Sequence, residues 1–70
     1  MTPKPGGCYN LRAGLQCFIE CQLDFYGMPM FRGILLNSTS KGTFLWHDTG
    51  HYSPTRHAHE LDIIDEIGNG

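Results

Sequence analysis

Leu15-Gln16-Cys17-Phe18-Ile19-Glu20-Cys21-Gln22-Leu23 is the stretch that decides the fold class. Its odd positions are all apolar, and Gln16, Glu20 and Gln22 fall among the even ones. A repeat of two is the side-chain period of a β-strand, so the spacing predicts a strand with Leu15, Cys17, Ile19, Cys21 and Leu23 on its buried face. Asp24 to Gly27 follows as a turn. A second strand is expected over residues 28–36, with Pro29 at its start, where a missing N–H matters least. Gly33 in its middle marks a bulge or a close backbone approach.

Working outward, Asn37-Ser38-Thr39-Ser40-Lys41-Gly42 is a polar loop. Thr43 to His47 is a third strand, with Phe44 and Trp46 on one face and Leu45 on the other. Asp48-Thr49-Gly50 supplies turn chemistry, because glycine accepts the positive φ of a tight reversal. His51 and Tyr52 read as a brief return to strand, and Ser53-Pro54 opens another loop. Residues 60–67 allow two readings: Leu61, Ile64 and Asp65 would suit a helix, Leu61 and Ile63 a strand, and β-branched Ile63 and Ile64 favour the strand because they fit a pleated surface. The Pro- and Gly-rich residues 1–10 read as a flexible leader, residues 11–67 as a single β domain and 68–70 as a tail. The expected architecture is mainly β: a four- to five-stranded antiparallel meander or SH3-like half-barrel, with room for a short helical turn.

Seventy residues make one domain. A chain this short buries only about 60% of its unfolded surface, so a disulfide, a metal or a partner commonly supplements the core. Three cysteines is an odd number, which argues against a secreted disulfide framework and for a reducing cytoplasm. No apolar run reaches membrane-spanning length, and no secretory pattern opens the chain.

The net charge is −2, and Lys4, Arg12, Arg32, Lys41 and Arg56 are scattered. Counterion release needs clustered cations, so direct nucleic-acid binding is disfavoured. The acids are concentrated instead. Residues 1–59 hold five basic and three acidic side chains, a net of +2, whereas Glu60, Asp62, Asp65 and Glu66 give residues 60–70 a net of −4. These acids form either a solvated strand face or an acidic edge.

Among chemistry-bearing groups, His47, His51, His57 and His59 could in principle assemble an all-histidine zinc site. Cys17 and Cys21 do not extend that set. Four residues apart on a strand they are about 13 Å from each other, and they alternate with Ile19 and Leu23 as core residues do. Ser53, Cys8 and the His47-Asp48 pair lie in no nucleophile motif, and no glycine-rich phosphate cradle occurs. The reading is non-enzymatic, without a cofactor.

Phe25, Tyr26, Phe31, Phe44, Trp46 and Tyr52 are more aromatics than a sheet this small readily hides. Either they fill the core of a small barrel, or some lie at an interface, where aromatic and Met side chains concentrate binding energy. Met28 and Met30 lie next to them in sequence.

The order of features from residue 11 to 64 also carries a resemblance. Leu11-Arg12-Ala13-Gly14-Leu15 is followed by Met28-Pro29-Met30-Phe31-Arg32-Gly33, then Phe44-Leu45-Trp46, Asp48-Thr49-Gly50-His51-Tyr52 and His59-Glu60-Leu61-Asp62-Ile63. This resembles a group of small uncharacterised phage and prophage β proteins with an Arg-x-Gly entry, a Gly-x-Tyr turn and a closing Asp/Leu strand. His51 stands where that group commonly has Arg, and the closing pair is Leu61-Asp62. The resemblance implies an inhibitor or modulator of a host protein, such as a defence component or a nucleic-acid-binding machine whose channel the acids would occupy.

The leading expectation is a module that binds a host protein through Phe25, Tyr26, Phe31, Trp46 and Tyr52, together with Glu60, Asp62, Asp65 and Glu66. A small-ligand or single-stranded nucleic-acid-binding barrel and a zinc-stabilised module are the alternatives. Self-association as a homodimer is expected in each case, because a second copy covers strand edges.

Overall fold

The computed structural model describes residues 1–52 and 57–67. Five strands occur among the described residues: β1 Cys8–Leu11, β2 Gln16–Phe25, β3 Met28–Leu35, β4 Phe44–His47 and β5 Ile63–Ile67. They form one sheet in the order β4-β3-β2-β1-β5, and every neighbouring pair is antiparallel. No helix interrupts them among the described residues. The mainly β meander read from the sequence is therefore the fold, and the closing segment is a strand over Ile63–Ile67. Ser53, Pro54, Arg56 and the 68–70 tail lie outside the described residues.

The sheet curls so that its two ends approach each other. Residues 50–52 bridge the gap between β4 and β5. Tyr52 pairs with Trp46, the His47 N–H donates to the His51 carbonyl at 2.9 Å, and the Ile63 N–H donates to the Gly50 carbonyl at 2.9 Å. Inside the curl lie Tyr9, Leu11, Cys17, Ile19, Phe31, Trp46 and Ile63, with Leu15, Leu35, Phe44, Tyr52 and Leu61 packed around them. Trp46 is fully buried, and its indole N–H donates to the Leu61 carbonyl at 2.7 Å. A buried indole that meets a main-chain acceptor avoids the desolvation cost of an unmade hydrogen bond.

The first ten residues are not a loose leader. β1 occupies the middle of the sheet between β2 and β5, and Pro3 is fully buried. Ahead of β1, the Gly6 N–H donates to Ile19 O at 2.7 Å and the Ile19 N–H to Gly7 O at 2.9 Å, which extends the ladder. The Lys4 N–H donates to the Tyr9 hydroxyl at 2.8 Å. Tyr9 and Leu11 face the core as a period-2 pair, a signal too short to stand out beside the prolines and glycines.

The long strand also departs from its expected burial. Cys17 pairs with Leu35 and Ile19 with Gly33, but the register then slips and Cys21 pairs with Arg32, leaving Glu20 as an extra residue. Such a bulge advances one strand by a residue and exchanges its faces. Beyond it, Gln22 pairs with core-facing Phe31, while Leu23 pairs with Met30 and Cys21 with exposed Arg32. Directly paired residues share a face. Cys17 and Ile19 therefore point into the core, as expected, whereas Cys21 and Leu23 point to the outside of the sheet.

Gly33 permits this arrangement. A Cβ there would collide with the carbonyl of Phe18 and press on Ile19 Cα at 3.2 Å. The backbone approach read from its position in the strand is present.

Candidate functional site

The bulge at Glu20 builds an apolar surface on the outside of the sheet. After it, the outward residues of β2 are Cys21, Leu23 and Phe25, opposite Arg32, Met30 and Met28 of β3. On β4, Leu45 pairs with Arg32 and His47 with Met30, so these two also face outward. Phe25, Tyr26, Met28, Met30, Leu45 and His47 line an open groove of about 390 Å³. Met30 is only 4% exposed although it lies on the outer face; it is the floor of the groove. Phe25 and Met28 are about half exposed and Tyr26 is fully exposed. At the inner end of the groove face, Arg32 Nε and Glu20 Oε1 approach to 3.7 Å.

Tyr26 occupies a special backbone position. Its φ is 51° and that of Gly27 is 82°. Two successive positive φ values at the centre of a two-residue hairpin are the type I′ arrangement, for which Asn-Gly is the favoured sequence. A bulky residue in the left-handed region costs about 1 kcal/mol or more. Tyr26 accepts that cost with its side chain in solvent, where its own fold returns nothing for it. Strain of this kind concentrates at binding positions.

A second, polar cleft of about 440 Å³ lies at the barrel closure, lined by Arg12, Thr49, Gly50, His51, Asp62 and Ile63. Its centre is the buried Asp62. Asp62 Oδ1 accepts the Tyr52 N–H at 2.8 Å, and Oδ2 accepts the His59 N–H at 2.9 Å. His51 Nδ1 is 3.3 Å from Oδ1, and Arg12 Nη2 is 3.6 Å from Oδ2. Burial alone would raise the Asp62 carboxyl. The two N–H donors, with His51 and Arg12 nearby, outweigh it and hold the group below its ordinary range. Thr49 is engaged as well, its hydroxyl accepting the His51 main-chain N–H at 3.4 Å. A carboxylate saturated this way fastens the main chain at Tyr52 and His59 onto the β1–β2 turn.

The residues expected to bind a partner are thus divided. Phe25 and Tyr26 meet at the outer groove. Phe31 and Trp46 do not join them, being 4% and 0% exposed in the core. Their parity in β3 and β4 places them opposite Met30, Leu45 and His47. Tyr52 is half-buried and packs its ring near Phe44, Trp46 and His59, with centroids 6.4, 6.2 and 4.8 Å away. It serves the closure of the barrel.

The acidic edge is also dispersed. Asp62 is interior. Asp65 pairs with Asn10 and Glu66 with Tyr9, so they leave opposite faces of β5, while Glu60 sits in the preceding turn. Asp65 further accepts the Asn10 side-chain amide at 3.2 Å.

The four histidines do not converge. His47 faces the groove, and His51 faces Asp62. His59 Nδ1 accepts the Leu61 N–H at 3.0 Å, and His57 is exposed. Among the described residues no three His, Cys, Asp or Glu side chains gather as a metal-binding group.

Cys17 is walled in by the core, and burial, with Cys8 nearby, pushes its thiol up to about 12. Leu45 is the groove residue that no sequence argument singled out for binding. Its parity opposite Phe44 and Trp46 was the available signal.

No helix among the described residues is long and apolar enough to cross a membrane. Compared with protein-family models, curated proteins and solved structures, the chain matches none.

Proposed function

We propose that this domain is a protein-binding module whose recognition surface is the outer groove of the β2–β3 hairpin and β4. The observation that carries this reading is the strained, fully exposed Tyr26 at the mouth of an apolar groove floored by Met30. The groove takes an apolar side chain of a partner segment. Met28 and Met30 adapt to its shape, and Phe25 and Tyr26 cover it. The charged residues at its margin, Glu20 and Arg32, are already turned towards each other, which leaves the apolar wall as the source of affinity. That the partner is a host protein, and that binding modulates it, rests on the resemblance to phage and prophage proteins. A reducing cytoplasm suits the free thiols Cys8, Cys17 and Cys21.

A random-peptide display selection against the full chain tests the reading. Enriched peptides should carry an apolar anchor and shift the amide resonances of residues 25–28, Met30, Leu45 and His47. Met28→Glu should weaken them about tenfold or more, as loss of a hot spot does. Peptides that instead shift Arg12, His51 and Asp62, or that bind Met28→Glu unchanged, would refute it.

A further inference from the structure

β1 covers only the first part of β2. Its ladder pairs residues Gln16 to Phe18 and is prolonged to Ile19 by Gly6 and Gly7. From Glu20 to Phe25 the same edge of β2 has no strand beside it among the described residues. An open edge of this length is a template for another strand.

The register fixes what that edge presents. Phe25 and Met28 close a two-residue hairpin, so they direct their N–H and C=O groups at each other. By alternation Leu23 does the same towards Met30, and Gln22 and Asp24 direct theirs outward, to the open edge. From this geometry we infer that the open β2 edge pairs with the β2 edge of a second copy, antiparallel about a twofold axis at Leu23, giving a homodimer.

Charge selects that axis. An axis at Gln22 sets Asp24 opposite Glu20 of the second copy, which places like charges across the ladder. An axis at Leu23 sets Gln22 opposite Asp24 of the second copy, twice by symmetry. The Gln22 amide then donates to the Asp24 carboxylate. The main-chain groups of these two residues form the hydrogen-bonded pairs, and the two Leu23 side chains meet at the closer, non-hydrogen-bonded position. On the outer face this joins the two Leu23–Phe25 rows and sets the two grooves side by side. Phe25, 44% exposed, and the half-buried Leu23 enter the contact beside the backbone edge, whereas Met28 lies one strand away on β3 and stays with the groove. The contact is therefore of the small, transient class, below about 600 Å² per partner.

Sedimentation equilibrium of the full chain, from micromolar to submillimolar concentration, tests the inference. The expected result is a reversible monomer–dimer equilibrium. Gln22→Glu, which sets a carboxylate against Asp24 of the second copy on each side of the axis, should raise the dissociation constant about fivefold, and Gln22→Lys should not raise it. In a Cys8→Ser, Cys21→Ser background, Leu23→Cys should oxidise to a disulfide-linked dimer faster than Gln22→Cys does. A monomer at every concentration, a dimer indifferent to both Gln22 substitutions, or faster cross-linking through Gln22→Cys each overturns it. Gln22 faces away from the groove, so peptide binding by the Gln22 variants, measured at a protein concentration where they are monomeric, separates failure of the dimer from failure of the binding site.

Discussion

Asp62 shows how one side chain can be read as surface charge and turn out to be a fastener. In the sequence it is one of four acids in a short run. In the fold it is buried beneath Arg12 and His51 and holds the main chain at Tyr52 and His59. Composition cannot separate it from its neighbours, because the distinction arises from where the main chain at Tyr52 and His59 comes to lie. Asp62→Asn keeps the shape but turns an acceptor into a donor that faces a main-chain N–H. The expected cost is about 2–3 kcal/mol in chemical denaturation.

The pH dependence has a definite sign. The folded carboxyl lies below its ordinary range, and the unfolded one titrates near about 3.9. Its contribution is therefore complete above the unfolded value and is lost as pH falls through the folded one. The stability gap between wild type and Asp62→Asn should shrink on acidification through that window. A gap that persists undiminished in acid contradicts this assignment.

At the scale of elements, most strands were legible because their apolar spacing is regular. β3 and β4 form between the turns that bound them and β5 where Ile63 and Ile64 place it, whereas the turn expected over residues 24–27 is confined to Tyr26-Gly27, because Asp24 and Phe25 continue β2. β1 was hidden by brevity and by the prolines and glycines before it. The faces of β2 were hidden for a different reason. Its odd-numbered apolar series continues through Glu20 without a break, so nothing in its spacing shows that the inserted residue turns Cys21 and Leu23 outward. Gly33 supplied the hint, since a glycine in mid-strand marks such a close approach. The hairpin turn is where this element is least adapted to folding. Tyr26→Asn restores the sequence favoured by a type I′ turn and should raise stability by about 1 kcal/mol, read as a higher denaturation midpoint. The same substitution should weaken peptide capture at the groove. Loss of stability in Tyr26→Asn would mean that the tyrosine supports the fold instead.

For the molecule as a whole, the bulge divides the apolar residues between two jobs. Tyr9, Leu11, Cys17, Ile19, Phe31, Trp46 and Ile63 close the core, while Phe25, Met28, Met30 and Leu45 are committed to the outside. A domain of this size has little stability to spare, and an apolar outer face withholds several large side chains from its interior. Recognition and self-pairing are two uses of that surface, and both require that the series beginning at Cys17 changes sides before Cys21.

Alkylation of the native protein in dilute solution, followed residue by residue by mass spectrometry, measures that change of sides. The outward Cys21 should label in the folded state, and Cys17, buried and with its thiol pushed up to about 12, should label only on unfolding. Equal protection of Cys21 and Cys17 would place both sulfurs in the core and contradict the outward face on which the binding surface depends.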